Sequence, residues 1–116
     1  MRKSILQEKS FQFAISGVTL YKSLAKNKEC VHRKQLLRSS TSVGANIREV
    51  QNAQSKKDFI HKLSISKKEC DESIYWLELL KETHYIDNTA FMVMKNSATA
   101  IILMLKSSII TAKKNM

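Results

Sequence analysis

The chain has 116 residues, 43% of them hydrophobic and 26% charged, with 20 Lys or Arg against 10 Asp or Glu. That length and balance predict one globular domain, residues 1–116, with a single small core, and argue against disorder. The formal charge of +10 suits polyanions such as nucleic acid or an anionic membrane surface, although a charge of that size also serves solubility alone.

With no proline and only two glycines, helices are expected throughout. The first should start at Ser4, which forms a Ser-x-x-Gln capping pair with Gln7. Phe11, Ala14, Ile15, Val18, Tyr21 and Leu24 recur at three- and four-residue steps as its apolar stripe, with Gly17 as a close-contact point. The polar run Lys26-Asn27-Lys28-Glu29 ends it, and a linker runs on to Arg33.

The second helix is expected over Lys34 to Gln54. Its first half is dense in small side chains: Ser39, Ser40, Thr41, Ser42, Gly44 and Ala45. Such residues gain little from helix propensity, so the helix must gain from close packing, with Gly44 and Ala45 where backbones approach. Its inward stripe reads Leu36 or Leu37, Ser40, Val43, Gly44, Ile47 and Val50. Ser55 then caps a third helix over Lys56 to Thr83, and the Asp58 carboxylate can reach back to the cap. Phe59, Leu63, Ser66, Cys70, Ile74 and Leu77 share one face of it. The connection at Gln54–Ser55 is short, which makes the two helices antiparallel neighbours. Val50 should meet Phe59, Ile47 should meet Leu63, Val43 should meet Ser66, and Leu36 or Leu37 should meet Ile74.

Asp87 or Asn88 caps a fourth helix running to Lys113, after which the last residues are expected to fray. This helix is apolar on more than one side. One stripe, Met94, Ala98, Ile101, Leu105 and Ile109, suits the core. Met92, Val93, Ile102, Leu103 and Ile110 remain, and leaving them exposed would exceed what soluble monomers carry, so they are the expected oligomer interface. The densest apolar run, Ala100 to Leu105, stops at Lys106, short of the about 20 residues a membrane span needs.

Chemistry finds few parts. His32, His61 and His84 are scattered without a His-Glu-x-x-His pattern, the serine run lacks a Gly-x-Ser-x-Gly elbow, and Gly44 stands outside any phosphate loop. Cys30 and Cys70 fit no metal spacing and read as buried thiols of a reduced, cytoplasmic protein. No catalytic residue, metal or cofactor is expected. Folding at Gln54–Ser55 brings Arg38 level with Glu72, and Asn46 sits one turn from Glu49, so these four are read as a register-fixing polar network that could also line an opening. Lys34, Arg38, Arg48, Lys56, Lys57, Lys62, Lys67 and Lys68 are the expected phosphate contacts. Lys57 and Lys68, eleven residues apart, fall on one side of the third helix, and Lys81 follows thirteen residues later. Tyr75 and Trp76 lie beside acids, which disfavours base stacking.

A family resemblance runs through Leu36-Leu37-Arg38-Ser39-Ser40, Ser42-Val43-Gly44-Ala45-Asn46-Ile47, Glu49, Ser55, Asp58-Phe59, Lys62-Leu63, Ile65, Lys68-Glu69, Glu72 and Tyr75-Trp76-Leu77. The chain resembles the small four-helix-bundle proteins encoded within intervening sequences of bacterial large-subunit ribosomal RNA genes, which are related to accessory proteins of diversity-generating retroelements. Val50 departs from that pattern, where a small residue is usual, as does Arg48, where small or acidic residues are common. The resemblance implies a barrel-like homopentamer, with RNA ahead of DNA as ligand and a reverse transcriptase as the kind of protein partner to expect. The combined expectation is an all-α, up-down-up-down antiparallel four-helix bundle, non-enzymatic and basic, that binds nucleic acid or scaffolds a ribonucleoprotein. The alternative is a protein–protein interaction module without nucleic-acid contact.

Overall fold

A computed structural model describes residues 4–27 and 31–115. Cys30, and the thiol expected to be buried there, lies outside the described residues. Four helices follow one another: α1 (Ile5–Leu24), α2 (Val31–Glu49), α3 (Lys56–Glu82) and α4 (Asn88–Lys114). Each packs on the helix before and after it, and α4 closes on α1 through a thinner contact. This is the expected all-α up-down-up-down bundle, a rod of 47 × 23 × 20 Å, with no strand among the described residues.

The helix starts follow the local chemistry. The Ser4 hydroxyl accepts from the Gln7 N–H at 3.1 Å, and the Gln7 side chain accepts from the Ser4 N–H at 3.2 Å, a full capping box. Ser55 caps α3 through the Asp58 N–H at 3.0 Å, while the Asp58 carboxylate reaches one residue past the cap to the Gln54 N–H at 3.1 Å. Asp87 caps α4 through the Ala90 N–H at 2.8 Å. α3 ends with the Tyr85 N–H on the Leu80 carbonyl and the His84 N–H on the Lys81 carbonyl, a Schellman closure in which His84 takes the left-handed φ of 68°.

Three boundaries differ from expectation. α2 begins at Val31 rather than Lys34, and it stops at Glu49, five residues before Gln54. A 3-10 turn over Val50–Asn52 and an extended Ala53 fill the gap, the usual tightening of a helix end whose carbonyls run out of partners. At the other end of the chain α4 stays helical through Lys114 instead of fraying after Lys113.

The α2–α3 register is as expected. The Ser66 hydroxyl donates to the Val43 carbonyl at 2.8 Å, Ser39 and Ser73 share a hydrogen bond of 2.8 Å, and Ile47, Val50, Phe59 and Leu63 line one crevice. Leu36, not Leu37, is the fully buried member of its pair. The first helix is a correction: it buries Ser10, Phe13, Gly17 and Leu24 and leaves Phe11 and Ile15 exposed. Its small residues meet α2. A Cβ on Gly17 would fall 2.0 Å from Ser40 Oγ and 2.9 Å from its Cβ, and a Cβ on Gly44 would fall 3.2 Å from the Ser10 carbonyl oxygen. Gly44 therefore serves the α1 seam, whereas Ala45 is exposed. The buried serines are satisfied by back-bonds to their own helices, Ser10 to Gln7 and Ser40 to Leu37.

Candidate nucleic-acid interface

One crevice of about 300 Å³ is lined by Leu6 of α1, Ile47 of α2, Phe59 and Leu63 of α3 and Ser108 of α4. It fixes one pole of the rod, where α1 and α3 begin and α2 and α4 end. Charge divides along this axis. Cutting each helix at its middle, the half toward this pole (residues 4–14, 41–68 and 102–115) holds ten Lys or Arg against three Asp or Glu. The other half (residues 15–27, 31–40 and 69–101) holds seven against six.

Pairing sorts the expected contacts. Arg38 Nη1 lies 2.9 Å from Glu69 and its Nη2 pairs with Glu72, which also accepts from Trp76 Nε1 at 2.9 Å. The Trp76 hydrogen bond, followed by Arg38, holds the Glu72 carboxyl below the usual carboxylate range, and Glu72 in turn raises the Arg38 guanidinium. Trp76 stacks on His32 with centroids 5.8 Å apart, and Tyr75 meets it edge-on at 4.9 Å. Arg38 is thus a register pin between α2 and α3, with Glu69 as a partner that sequence reading did not include. Lys62 is shared by Glu49 at 3.5 Å and Asp58 at 3.9 Å, and Lys67 lies 3.4 Å from Asp71. Asn46 leaves the expected network: its amide donates to the Ser42 carbonyl at 2.9 Å within its own helix. Lys81 has its Nζ 4.7 Å from the Phe91 ring centre, so it does not continue a free row from Lys57 and Lys68. Arg48 lies over the Phe11 ring at 5.6 Å.

Lys34, Lys56, Lys57 and Lys68 remain exposed and, among the described residues, outside any ion pair. Lys9, Lys22, Lys26, Lys106, Lys113 and Lys114 join them, outside the expected set, the last two because the tail was expected to fray. The signal was present: folding back at His84–Asp87 brings Lys57 level with Lys114. Lys56 and Asn115 do line one crevice between α3 and α4, as do Phe59 and Ala112.

Other chemistry gains no site. Among the described residues no three His, Cys, Asp or Glu side chains gather to hold a metal ion. Cys70 is fully buried with its thiol on the Ala98 carbonyl at 3.4 Å, and burial pushes its pKa up to about 12, which leaves it unreactive.

The apolar surface divides differently from expectation. Met92, Val93, Leu103 and Ile110 are exposed as predicted, but Ile102 is only 9% exposed and belongs to the core. Phe11 adds to the exposed set, beside a groove of about 340 Å³ lined by Ala14, Thr41, Gly44, Ala45 and Arg48. By length and composition α4 is the one described helix that could cross a membrane, and the same properties suit a helix sealing a core. α4 buries Phe91, Met94, Ala98, Ile101 and Leu105 against its neighbours.

Residues 2–107 match the family model of the 23S rRNA-intervening sequence protein. The chain belongs to that family. Its fold is shared by a crystal structure, at 1.70 Å resolution, of a protein of unknown function from the S23 ribosomal protein family of Bacteroides thetaiotaomicron VPI-5482. The two are 49% identical with a TM-score of 0.89, over 90% of this chain and 98% of the other. No curated protein sequence matches. The family model covers α1, α2 and α3 whole and α4 as far as Ser107, so Lys113 and Lys114 fall beyond it.

Proposed function

We propose that this member of the 23S rRNA-intervening sequence protein family is a non-enzymatic, cytoplasmic, self-associating bundle that binds nucleic acid as an accessory scaffold of a ribonucleoprotein. The observation that carries the reading is the unequal charge of its two halves, ten Lys or Arg against three acids in one and seven against six in the other. A surface made basic only for solubility has no reason to segregate its cations, whereas a phosphate backbone rewards their concentration. RNA stands ahead of DNA because the family is tied to ribosomal RNA genes. Self-association follows from Leu103 and Ile110, exposed on α4, and from the groove beside Phe11; a ring joins two such unlike surfaces repeatedly and leaves neither open. Five copies per ring is the number the family resemblance supplies.

The test is a salt titration of binding to single-stranded RNA. A log–log plot of affinity against salt should fall with a slope of about −0.7 per phosphate contacted. Absence of binding at low salt would overturn the reading. The exposed apolar groove favours a second reading, a module docking a protein such as a reverse transcriptase, whose affinity would change little with salt.

A further inference from the structure

We infer that the crevice between the first turn of α3 and the last two turns of α4 is the phosphate seat for an RNA backbone. This inference rests on the nucleic-acid reading above and gives it a location.

The crevice, about 320 Å³, is lined by Lys56, Ser107, Ser108, Thr111 and Asn115, with Phe59 and Ala112 as its floor. Its walls thus offer one ammonium, three hydroxyls and an amide, and no carboxylate. These are the groups that bind phosphate oxygens without reading bases. Lys57 and Lys114 are the chain neighbours of its lining residues Lys56 and Asn115, both exposed and without an ion pair among the described residues. The nearest acid on α3, Asp58, is committed to the Gln54 N–H and to Lys62. Two residues from Lys56 on a helix, it does not share its face.

The placement of the lysines also has no use inside the fold. Lys56 and Lys57 occupy the first two positions of α3, where the positive end of the helix dipole disfavours cations. Stability alone would favour acids there. Lys114 sits at the end of α4, where the dipole favours it, and the antiparallel pairing brings it level with the two that the fold does not want. Cations held against a local electrostatic cost, beside a crevice of donors, point to an anion from outside the chain.

The experiment measures binding of a short unstructured single-stranded RNA to four proteins, the parent among them, across a salt series. Lys56→Ala/Lys57→Ala/Lys114→Ala should lose about tenfold or more in affinity near 0.1 M salt, with the slope flattened by about 2. Lys22→Ala/Lys26→Ala/Lys34→Ala, which removes as much charge from the other half, should keep the parent's slope. A fourth protein, Lys56→Glu/Lys57→Glu, should melt higher than the parent yet bind more weakly, a combination that misfolding cannot produce. If the parent binds and the two triple variants match each other, the seat is overturned while the nucleic-acid reading stands. If the parent does not bind at low salt, both fall.

Discussion

Glu72 is the residue on which the polar side of the α2–α3 seam turns. It accepts from both Arg38 and Trp76, and its ionised form is what both donors need. Its carboxyl is held below the usual value of 4.5, so the folded state binds that proton less readily than the unfolded chain. The resulting stabilisation is complete above the unfolded value and is lost as pH falls through the folded one. Glu72→Gln should therefore destabilise the protein at neutral pH by about 1 kcal/mol, the low end for a charged hydrogen bond because Arg38 is half exposed. The gap from the parent should close as pH falls below the ordinary carboxylate value and on through the depressed one. Fluorescence of Trp76, the only tryptophan, follows unfolding directly, and a gap that stays constant with pH would refute the linkage.

At the scale of elements, the α1–α2 crossing depends on two small-residue contacts, Gly17 on Ser40 and Gly44 on Ser10. Gly17→Ala gains about 0.5–1 kcal/mol of helix propensity. It also places a methyl group inside Ser40, at an overpacking cost of about 1–3 kcal/mol. A net loss of about 1 kcal/mol in urea melts is expected, and Ser40→Gly added to it should recover part of that loss. Failure of the second change to help would show that the helices part rather than clash. The same crossing shows where sequence reading succeeded and where it could not. The α2–α3 pairing was legible because a short turn ties both helices to one register, so Val43 and Ser66 could be matched by counting. The inward face of α1 was not legible. Phe11, Ala14, Ile15 and Val18 form the stronger apolar stripe, yet α1 turns Ser10, Phe13 and Gly17 inward because only small residues allow its close approach to α2. Periodicity reports an apolar face without saying whether this chain or another covers it. Ile102 reads as outward for the same reason, and the basic pole emerges only when the lysines of α3 and α4 are matched across the turn at His84–Asp87.

For the whole molecule, the exposed apolar surface is where the proposed self-association is tested. Met92, Leu103 and Ile110 fall on one side of α4 at spacings of eleven and seven residues, and burying each fully would be favourable by about 1.5–3 kcal/mol. Leu103→Asp should shift the protein toward its 13.3 kDa monomer in sedimentation at micromolar concentration, with its helical signal intact. A parent that already sediments as a clean monomer would remove the assembly from the proposal.

The thin contact between α1 and α4 carries a further consequence, in time rather than in space. Beside that seam lies a crevice whose lining sets Glu8, Lys9, Gln12, Ser16 and Ser97 beside Phe13 and Ala100, so much of it is polar. α2 and α3 each have two close neighbours, whereas α1 and α4 each have one close neighbour and one loose one. Local opening should therefore start along this seam, since regions with few buried apolar contacts open at the lowest free energy. Native-state hydrogen exchange should release the amides of α1 and α4 first and hold those around Val43, Ser66 and Cys70 until global unfolding. The bundle would then breathe like a book, with the α2–α3 hairpin as its spine.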